Sequence, residues 1–415
     1  MEAYHTPLVH PELTQVVGDW NMQHDVFDDH VTRDLCALAV ASPAAKKKIS
    51  EQERIDRDYA AFGEVSFDIT DKLTLTGGGR VYKFDNSLVG FFGYSAGFSS
   101  RTGEAACPGG DHTTAPDFNG APCKVFDKTT KEDGVTPRLN VTYKITPDAM
   151  VYANYSQGYK AGGFNIDRSG FLIQPNTTSA SQLNTGQLAF APEFTDAYEL
   201  GLKSEWFDRR LTVNANVFYY DYKDIQVNLL TVNSGVLTTA LTNGAKGKVK
   251  GAELEIEGQP TDNLHLRAAV SFLDTEYTDF KNTNPTTGAV TADYSGNSFV
   301  RSPRNVVSLG ADYTIPLEIG GKLVAGGDVS FRDKEYFLAN RQSSAEPTLS
   351  QPHYTLANSR LTWFSPDEKL SVTGFVNNLT DRRYQVHGRP NGPQGQYVLT
   401  YGDPRTVGVS VTSRF

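Results

Sequence analysis

One stretch between residues 195 and 227 constrains the fold more than any other part of this chain. It reads TDAYELGLKSEWFDRRLTVNANVFYYDYKDIQV, in which two alternating runs flank a short polar turn at Asp208–Arg210. Alternation with a period of two places apolar side chains on one face of a strand and polar side chains on the other. Two such runs across a tight turn predict an antiparallel β-hairpin. The apolar face of this hairpin carries Tyr198, Leu200, Leu202, Trp206, Leu211, Val213, Ala215, Val217 and Tyr219.

The same alternation runs from Tyr59 to the last residue and predicts about 13 strands. The strands are joined alternately by short turns and by long polar segments. Compact soluble domains rarely carry several long structureless loops, whereas outer-membrane barrels have short turns on one rim and long loops on the other. The sequence therefore predicts an all-β fold, an antiparallel transmembrane β-barrel whose apolar faces contact lipid. The predicted turns are Thr70–Lys72, Thr146–Asp148, Asp208–Arg210, Pro260–Asn263, Pro316–Gly321 and Pro366–Lys369, and the predicted loops are 85–133, 159–192, 279–298 and 338–351.

Composition and motifs exclude several classes of protein. The net charge is −9 and charged residues make up 21% of the chain, which disfavours nucleic-acid binding because that function needs a basic surface. No run of about 18 apolar residues predicts a membrane-spanning helix, although a barrel strand is apolar on one face only. The sequence contains no phosphate-binding loop, dinucleotide fingerprint, zinc-protease helix or nucleophile elbow. We therefore predict a protein that is not an enzyme and that uses no cofactor or metal.

Two cysteines enclose a segment rich in glycine, proline and aspartate. Cys107 and Cys123 bracket the sequence CPGGDHTTAPDFNGAPC, which favours a disulfide and an oxidising location. The alternative is a pair of unrelated thiols. Residues 1–50 show no clear alternation and are predicted to be an irregular N-terminal segment, while residues 51–415 form the barrel domain.

Two further patterns bear on function. Val407, Val409 and Val411 alternate toward the terminal Phe415, which predicts a closing strand that guides barrel assembly. Glu253, Glu255 and Glu257 place three carboxylates on one polar face. This acidic face has two interpretations: a lumen wall that touches a plug or a ligand, or a solvated wall balanced by Lys or Arg on neighbouring strands. The range Ile225–Asn243 also has two interpretations, a strand extension or an ordered loop.

Several runs together resemble the TonB-dependent outer-membrane receptors, most closely the branch that takes up iron complexes of the siderophore type. These runs are YANYSQGYKAGGFN, FAPEFTDAYELGLKSEWFDRRLTVNANVFYYDYKDIQV, NNLTDRRY and the C-terminal strand with its final Phe. The resemblance covers residues 51–415. It implies a barrel of roughly 22 strands with a plugged lumen. It also implies four partners, namely outer-membrane lipid, the TonB energy-coupling complex, the barrel assembly machinery and a ferric-siderophore-like ligand.

The chain departs from the pattern of this family at its N-terminal side. The family's signal peptide, TonB box and plug have no counterpart in the sequence, and about 13 strands fall short of the family's number. The sequence therefore predicts the C-terminal portion of a receptor barrel in the outer membrane of a Gram-negative cell, without a plug. The alternatives are a plugless porin-like pore or adhesin, and a soluble all-β binding protein or enzyme of sandwich or propeller type.

Overall fold

The computed structural model describes residues 48–94, 126–165, 189–233, 236–283, 289–339, 349–391 and 396–414. Every regular element in these ranges is a β-strand. Within them, no helix is long and apolar enough to cross a membrane. The strands are β1 (Lys48–Asp68), β2 (Leu73–Tyr94), β3 (Phe126–Thr146), β4 (Ala149–Lys160), β5 (Gly163–Phe164), β6 (Ala189–Phe190), β7 (Glu193–Trp206), β8 (Leu211–Asn233), β9 (Val236–Thr261), β10 (Leu264–Thr283), β11 (Val290–Asp293), β12 (Asn305–Pro316), β13 (Lys322–Arg332), β14 (Glu335–Tyr336), β15 (Ser350–Gln351), β16 (Tyr354–Phe364), β17 (Leu370–Asn377), β18 (Gln385–Asn391), β19 (Gln396–Tyr401) and β20 (Thr406–Ser413).

Thirteen of these strands form one continuous antiparallel sheet, which confirms the predicted barrel architecture and strand number. Their order is β1-β2-β3-β4-β7-β8-β9-β10-β12-β13-β16-β17-β20, and β11 pairs with β10 beside this path. Each strand therefore lies next to its neighbours in sequence, as in an up-and-down barrel wall. Among the described residues, the path ends at β1 and β20 and no pairing joins these two strands.

The connections divide between two rims. The short-turn rim holds residues 69–72, 147–148, 207–210, 262–263, 317–321 and 365–369, where the sequence predicted turns. The opposite, long-loop rim holds the longer connections and the small strand pairs β5–β6, β14–β15 and β18–β19. Three non-glycine residues in the turn before β8, namely Phe207, Asp208 and Arg209, have positive φ. This left-handed backbone lets a four-residue turn reverse the chain between Trp206 and Leu211, which are paired.

The apolar face of the sheet is exposed, as a lipid-facing surface requires. In the hairpin of β7 and β8, Leu200 pairs with Val217, and these side chains are 57% and 52% exposed. The apolar band ends where charged residues replace apolar ones on the same face: Tyr219 is followed two residues later by Asp221, and Phe272 by Asp274. From Leu211 to Tyr219 the band spans nine residues, close to the 9–11 that a tilted strand needs to cross a bilayer.

Strands β2, β3, β8 and β9 extend beyond the band, and this corrects two predictions about loops. The predicted loop 85–133 is too long, because β2 continues to Tyr94 and β3 begins at Phe126. Likewise, β10 reaches Thr283 inside the predicted loop 279–298. The open range Ile225–Asn243 is a strand extension, with β8 and β9 paired as far as Asn233 and Val236.

Three predictions concern residues outside the described ranges. Cys107 and Cys123 lie between β2 and β3 in such a range, so the disulfide stays a prediction. Phe415 and most of residues 1–50, which the sequence predicts to be an irregular segment, also lie outside the described ranges, and β1 begins at Lys48. Val407, Val409 and Val411 are described: they lie on β20, paired with β17, and are 73%, 73% and 65% exposed.

Candidate functional site

The face opposite the apolar band, which we call the lumen face, is lined by hydrogen-bonded ion pairs. Arg138 donates to Glu64 at 3.0 Å, and Arg80 donates to Asp58 at 2.9 Å. Farther along the sheet, the largely buried Asp312 carboxylate accepts from Arg267 at 2.7 Å and from Arg360. The Arg80–Asp58 and Arg267–Asp312 pairs join adjacent strands, whereas Arg138–Glu64 crosses over β2 and Arg360–Asp312 crosses over β13. The charges of the lumen face therefore also cross-link the wall.

One part of the lumen face, on β7 to β9, is acidic. Glu199 accepts a hydrogen bond from the Tyr152 hydroxyl, and Glu253 accepts one from the Asn216 amide at 3.2 Å. Within the described ranges, Glu255 forms no ion pair or hydrogen bond through its side chain. The amide oxygen of Asn216 is buried there and has no donor in the described structure.

The interpretation in which Lys or Arg on neighbouring strands balances the carboxylates of Glu253, Glu255 and Glu257 is not supported by ion pairs in the described ranges. Glu257 interacts with His265 at 2.7 Å, and no described Lys or Arg forms an ion pair with Glu253, Glu255 or Glu257. Carboxylates and an amide oxygen without cationic partners form a surface that favours positively charged or hydrogen-bond-donating groups.

Near the long-loop rim the lumen face becomes aromatic. Tyr82 and Tyr159 stack with ring centroids 4.0 Å apart, beside the buried Phe84. A second buried cluster joins β8, β9 and β10, and Phe299 packs against it from the connection before β12. Chain segments from the long-loop rim thus pack inward against the wall. The buried members of this second cluster are Ile225, Val227, Ala245, Tyr277 and Phe280.

Two amide side chains hold the connection between β4 and β7 against the β8–β9 extension. The Asn243 amide accepts from the Ala191 N–H at 2.6 Å and donates to the Ala191 and Asp224 carbonyls at 2.7 and 2.8 Å. Gln226 donates to the carbonyls of Ala161 and Ala191 at 2.8 and 3.1 Å. These bonds replace strand pairing at the bulge between Tyr222 and Gln226, where the β8–β9 register shifts.

Asn243→Ala is expected to release this connection. The change removes the Asn243 partner of the Ala191 N–H and of the Asp224 carbonyl, while Gln226 still donates to the Ala191 carbonyl. Because these groups are exposed and water can replace the lost bonds, the expected cost is about 0.5–1.5 kcal/mol of local stability. Hydrogen exchange of the Ala191 amide should accelerate by about two- to tenfold, since about 1.4 kcal/mol corresponds to a factor of ten. Asn243→Asp keeps the acceptor and loses the donors, so its Ala191 amide should stay largely protected. Equal exchange in both variants would contradict the role assigned to the Asn243 acceptor.

A cationic cluster lies at the long-loop rim where the connection before β12 meets β14 and β18. The Arg301 guanidinium and His387 Nδ1 are 2.7 Å apart, and the backbone N–H of Arg301 donates to the Tyr336 carbonyl at 2.8 Å. Because a guanidinium only donates, Nδ1 accepts and His387 is the neutral tautomer with its proton on Nε2. Burial, and then the guanidinium groups of Arg301 and Arg389, hold the pKa of His387 below its usual value.

Most of these functional residues were not identified in the sequence analysis. Asn243 contacts Ala191 from 52 positions away, and Arg301 contacts His387 across 86 positions. One local signal was present in the run NNLTDRRY: Asn378 is buried there, donates to the Arg382 and Asp403 carbonyls, and accepts from the Arg382 N–H. In the described part of the chain, no three His, Cys, Asp or Glu side chains are grouped to hold a metal ion.

An antiparallel wall with an exposed apolar band, a charged lumen face and loops gathered on one rim defines a transmembrane β-barrel protein. The family model for the β-barrel of TonB dependent receptor-like proteins matches residues 11–379. The chain belongs to this family, whose members are β-barrel receptors of the outer membrane.

Individual relatives agree with this assignment. The pesticin receptor of Yersinia pestis is 26% identical over 357 residues, which cover 86% of this chain and 43% of that protein. The ferric-pyoverdine M114 receptor PbuA of Pseudomonas sp. (strain M114) is 25% identical and is covered over 36% of its length. The crystal structure of the ferric yersiniabactin uptake receptor FyuA from Yersinia pestis superposes with a TM-score of 0.65 and 22% identity, covering 89% of this chain and 47% of that one. The chain thus spans less than half the length of these relatives.

Proposed function

We propose that this chain forms the C-terminal part of the barrel of a receptor that imports an iron–siderophore complex or a similar bulky nutrient across the outer membrane. The observation that carries the proposal is the combination of a transmembrane wall of this family with chain segments that pack inward at the long-loop rim. In outer-membrane barrels this rim faces the outside of the cell. The names of two relatives, which refer to ferric pyoverdine and ferric yersiniabactin, support an iron chelate as the cargo.

The open sheet supports the further proposal that other strands complete the barrel. β1 and β20 occupy the first and thirteenth places of an antiparallel path, so they run in the same direction. Because antiparallel partners run in opposite directions, β1 cannot pair with β20 in this way. A second copy in the same membrane orientation cannot close the sheet either, because it presents the same two edges with the same strand direction. The completing segment therefore supplies an odd number of strands, which is about nine if the barrel has about 22. Exposed strand edges are not tolerated in lipid, and this makes such a complement necessary.

Energy coupling follows from the same proposal. We assign a plug domain and its contact with the TonB complex to the completing segment. The acidic part of the lumen face, with Glu199, Glu253 and Glu255, is suited to contact cationic groups of that plug. This proposal keeps the interpretation in which the acidic wall touches a plug or a ligand.

The C-terminal strand is proposed to guide assembly. Val407, Val409 and Val411 present an exposed apolar row on β20, next to the terminal Phe415. A strand of this kind, at the edge of the sheet, is suited to pair with the barrel assembly machinery before the wall closes. Removing Phe415 is expected to lower the amount of assembled protein in the outer membrane, measured on equal amounts of total protein, while Met1 removal leaves it unchanged.

Co-expression tests the receptor proposal. The chain carrying a signal sequence is expressed in a Gram-negative host, alone or together with the plug and first nine strands of the pesticin receptor. We expect heat-modifiable, protease-resistant barrel only with the complement, because only then are both sheet edges paired. Wholly soluble, monomeric protein in either arm would overturn the transmembrane assignment. A folded pore from the chain alone would overturn the need for a complement.

A further inference from the structure

The terminal strand β20 has a side-chain pattern that does not by itself define its register. A shift of one residue against β17 would turn its apolar row toward the lumen, but a shift of two keeps valine outward and small residues inward. β20 ends the sheet of the described residues and pairs there with β17 alone, so no second neighbour selects the register. The outward row contains Val407, Val409 and Val411, and the inward row contains Thr406, Gly408, Ser410 and Thr412.

The connection after β17, residues 378–384, holds the segment that leads into β20. The Asn378 amide donates to the Asp403 carbonyl at 3.0 Å, and the Asp381 carboxylate accepts from the Arg405 N–H at 2.9 Å. Both bonds end on backbone atoms within three residues of the start of β20. A shift of β20 by two residues would move these atoms by about 7 Å, since a strand rises about 3.4 Å per residue. Both hydrogen bonds would then be broken.

This connection is itself fixed to the wall. The Asn378 N–H donates to the Asn358 side chain at 2.9 Å, and the Asn358 amide donates to the Asp328 carboxylate at 2.7 Å. The Leu379 N–H donates to the Ala357 carbonyl at 2.7 Å. Because Asn358 lies on β16 and Asp328 on β13, the position of β20 is referred to three earlier strands of the wall.

The backbone of the connection allows clean substitutions. The φ angles of Asn378 and Asp381 are +50° and +52°, in the left-handed region. Asn and Asp enter this region more readily than other residues with a side chain, and Gly enters it without steric cost. Exchanges among Asn, Asp and Gly at these two positions therefore change the side-chain hydrogen bonds and leave the backbone conformation accessible.

Gly408 provides a second determinant of the register. It pairs directly with Phe375 of β17, and an added Cβ at position 408 would lie 2.4 Å from the Phe375 ring. The ring thus covers the glycine, an aromatic contact that stabilises glycine in a sheet. After a shift of two residues, Phe375 would instead be opposite Thr406 or Ser410, whose side chains occupy the space of the ring.

We propose that Asn378, Asp381 and Gly408 form a register lock, which holds β20 in one of the registers that its side-chain pattern permits. The lock fixes the free edge of the sheet, so that a partner strand meets its hydrogen-bonding groups at one offset. The stagger of the strands in a closed barrel is fixed, and this makes the offset decisive for closure. The role in closure rests on the proposed receptor function, whereas the lock itself needs only the wall described above.

Cysteine pairs between β17 and β20 report the register. Gly374 pairs directly with Val409, and a Cβ at Gly374 meets nothing within 4 Å. Directly paired residues lie about 4.5–5.5 Å apart, within the range of a disulfide, whereas diagonal neighbours lie about 7–8 Å apart. The three natural cysteines are replaced by serine, and Gly374→Cys is combined with Val407→Cys, Val409→Cys or Val411→Cys.

Oxidative cross-linking is measured in two samples, the chain assembled with its complement in outer membranes and the chain alone in detergent micelles. The disulfides are quantified by mass spectrometry. We expect the pair with Val409→Cys to give the main cross-link, because it reports the register of the structure. The pairs with Val407→Cys and Val411→Cys report shifts of two residues in either direction.

Matched variants isolate the hydrogen bond of Asp381. Asp381→Asn keeps an oxygen acceptor for the Arg405 N–H and Asp381→Gly removes it, while both variants are uncharged at this position. The cross-linking ratio of the Val409→Cys pair to the shifted pairs should fall about fivefold in Asp381→Gly, and about fivefold again when Asn378→Gly is added. Asp381→Asn should stay close to the parent.

A double-mutant cycle tests the contribution of Gly408. Gly408→Ala should lower the same ratio, because its Cβ meets the Phe375 ring. In a Phe375→Ala background the ring is absent, so Gly408→Ala should have no further effect. An equal effect in both backgrounds would show that the ring contact does not select the register.

The outcomes separate the lock from the receptor function. A main cross-link at Val407→Cys or Val411→Cys in the parent, no specific cross-link in either sample, or equal ratios in Asp381→Gly and Asp381→Asn would overturn the lock. Uptake of radioactive iron by the cells is measured in parallel. The expected cross-links without any uptake would contradict the receptor proposal and leave the lock in place, and uptake with equal ratios in the two Asp381 variants would contradict the lock alone.

Discussion

Leu309→Arg is expected to remove about 2–4 kcal/mol of stability from the assembled barrel, the cost of an arginine on the lipid face near the bilayer midplane. Leu309 lies in the apolar band of β12, is 52% exposed, and pairs with Ala268, the middle residue of the band on β10. Its side chain meets hydrocarbon, so a guanidinium there finds neither water nor a counter-ion. Urea unfolding of the protein in phospholipid vesicles measures the loss.

The matched control is the neighbouring position on the same strand. Ser308 pairs with Ala269 and points to the lumen face, so Ser308→Arg keeps its charge in water and should change stability by less than about 1 kcal/mol. The two variants differ in which face carries the same side chain. Equal losses, or a larger loss for Ser308→Arg, would show that the apolar band does not face lipid.

The central hairpin was predictable in detail because its two faces contact different environments, lipid on the apolar side and the polar lumen on the other. Tyr198 and Tyr219 are paired, as are Leu200 and Val217, and each predicted apolar residue lies on the outward face. A shift of one residue would turn the entire apolar set toward the lumen, so the alternation by itself specifies the register. The short turns were predictable for a similar reason, since each interrupts this alternation with polar residues.

The strand extensions were not predictable because the contrast between solvents ends at the membrane surface. In β3, the run Phe126–Arg138 contains KTTKEDG and reads as a loop, yet it pairs in register with β2. Beyond the band, the inward face packs against chain segments from the long-loop rim and the outward face meets water. In β8, a bulge between Tyr222 and Gln226 also changes the phase of the alternation. In these extensions neither face contacts lipid, so the alternation of apolar and polar residues no longer predicts a strand.

The candidate site escapes sequence reasoning for a different reason. Asn243, Arg301 and His387 acquire their roles from neighbours that are 52 to 86 positions away. None of them breaks or extends a local period, and each residue type is common in polar loops. Such contacts depend on the strand order of the whole wall, which brings distant connections together at one rim. The acidic residues of β9 were visible as a pattern, but their lack of cationic partners was not.

Asp312→Ala is expected to cost about 1–2 kcal/mol, because two partly exposed guanidinium groups on the lumen face lose the carboxylate they share and water replaces part of that interaction. The Asp312 side chain is largely buried and joins three strands through Arg267 and Arg360. Asp262→Ala is the matched control: its ion pair with Arg210 is highly exposed on the short-turn rim and should contribute about 0–1 kcal/mol. Urea unfolding in vesicles again measures both. A second change, Arg360→Leu, should restore part of the stability lost in Asp312→Ala, because it removes one of the unpaired charges. If the double variant is no more stable than Asp312→Ala, the loss comes from packing around Asp312 and not from the unpaired guanidiniums.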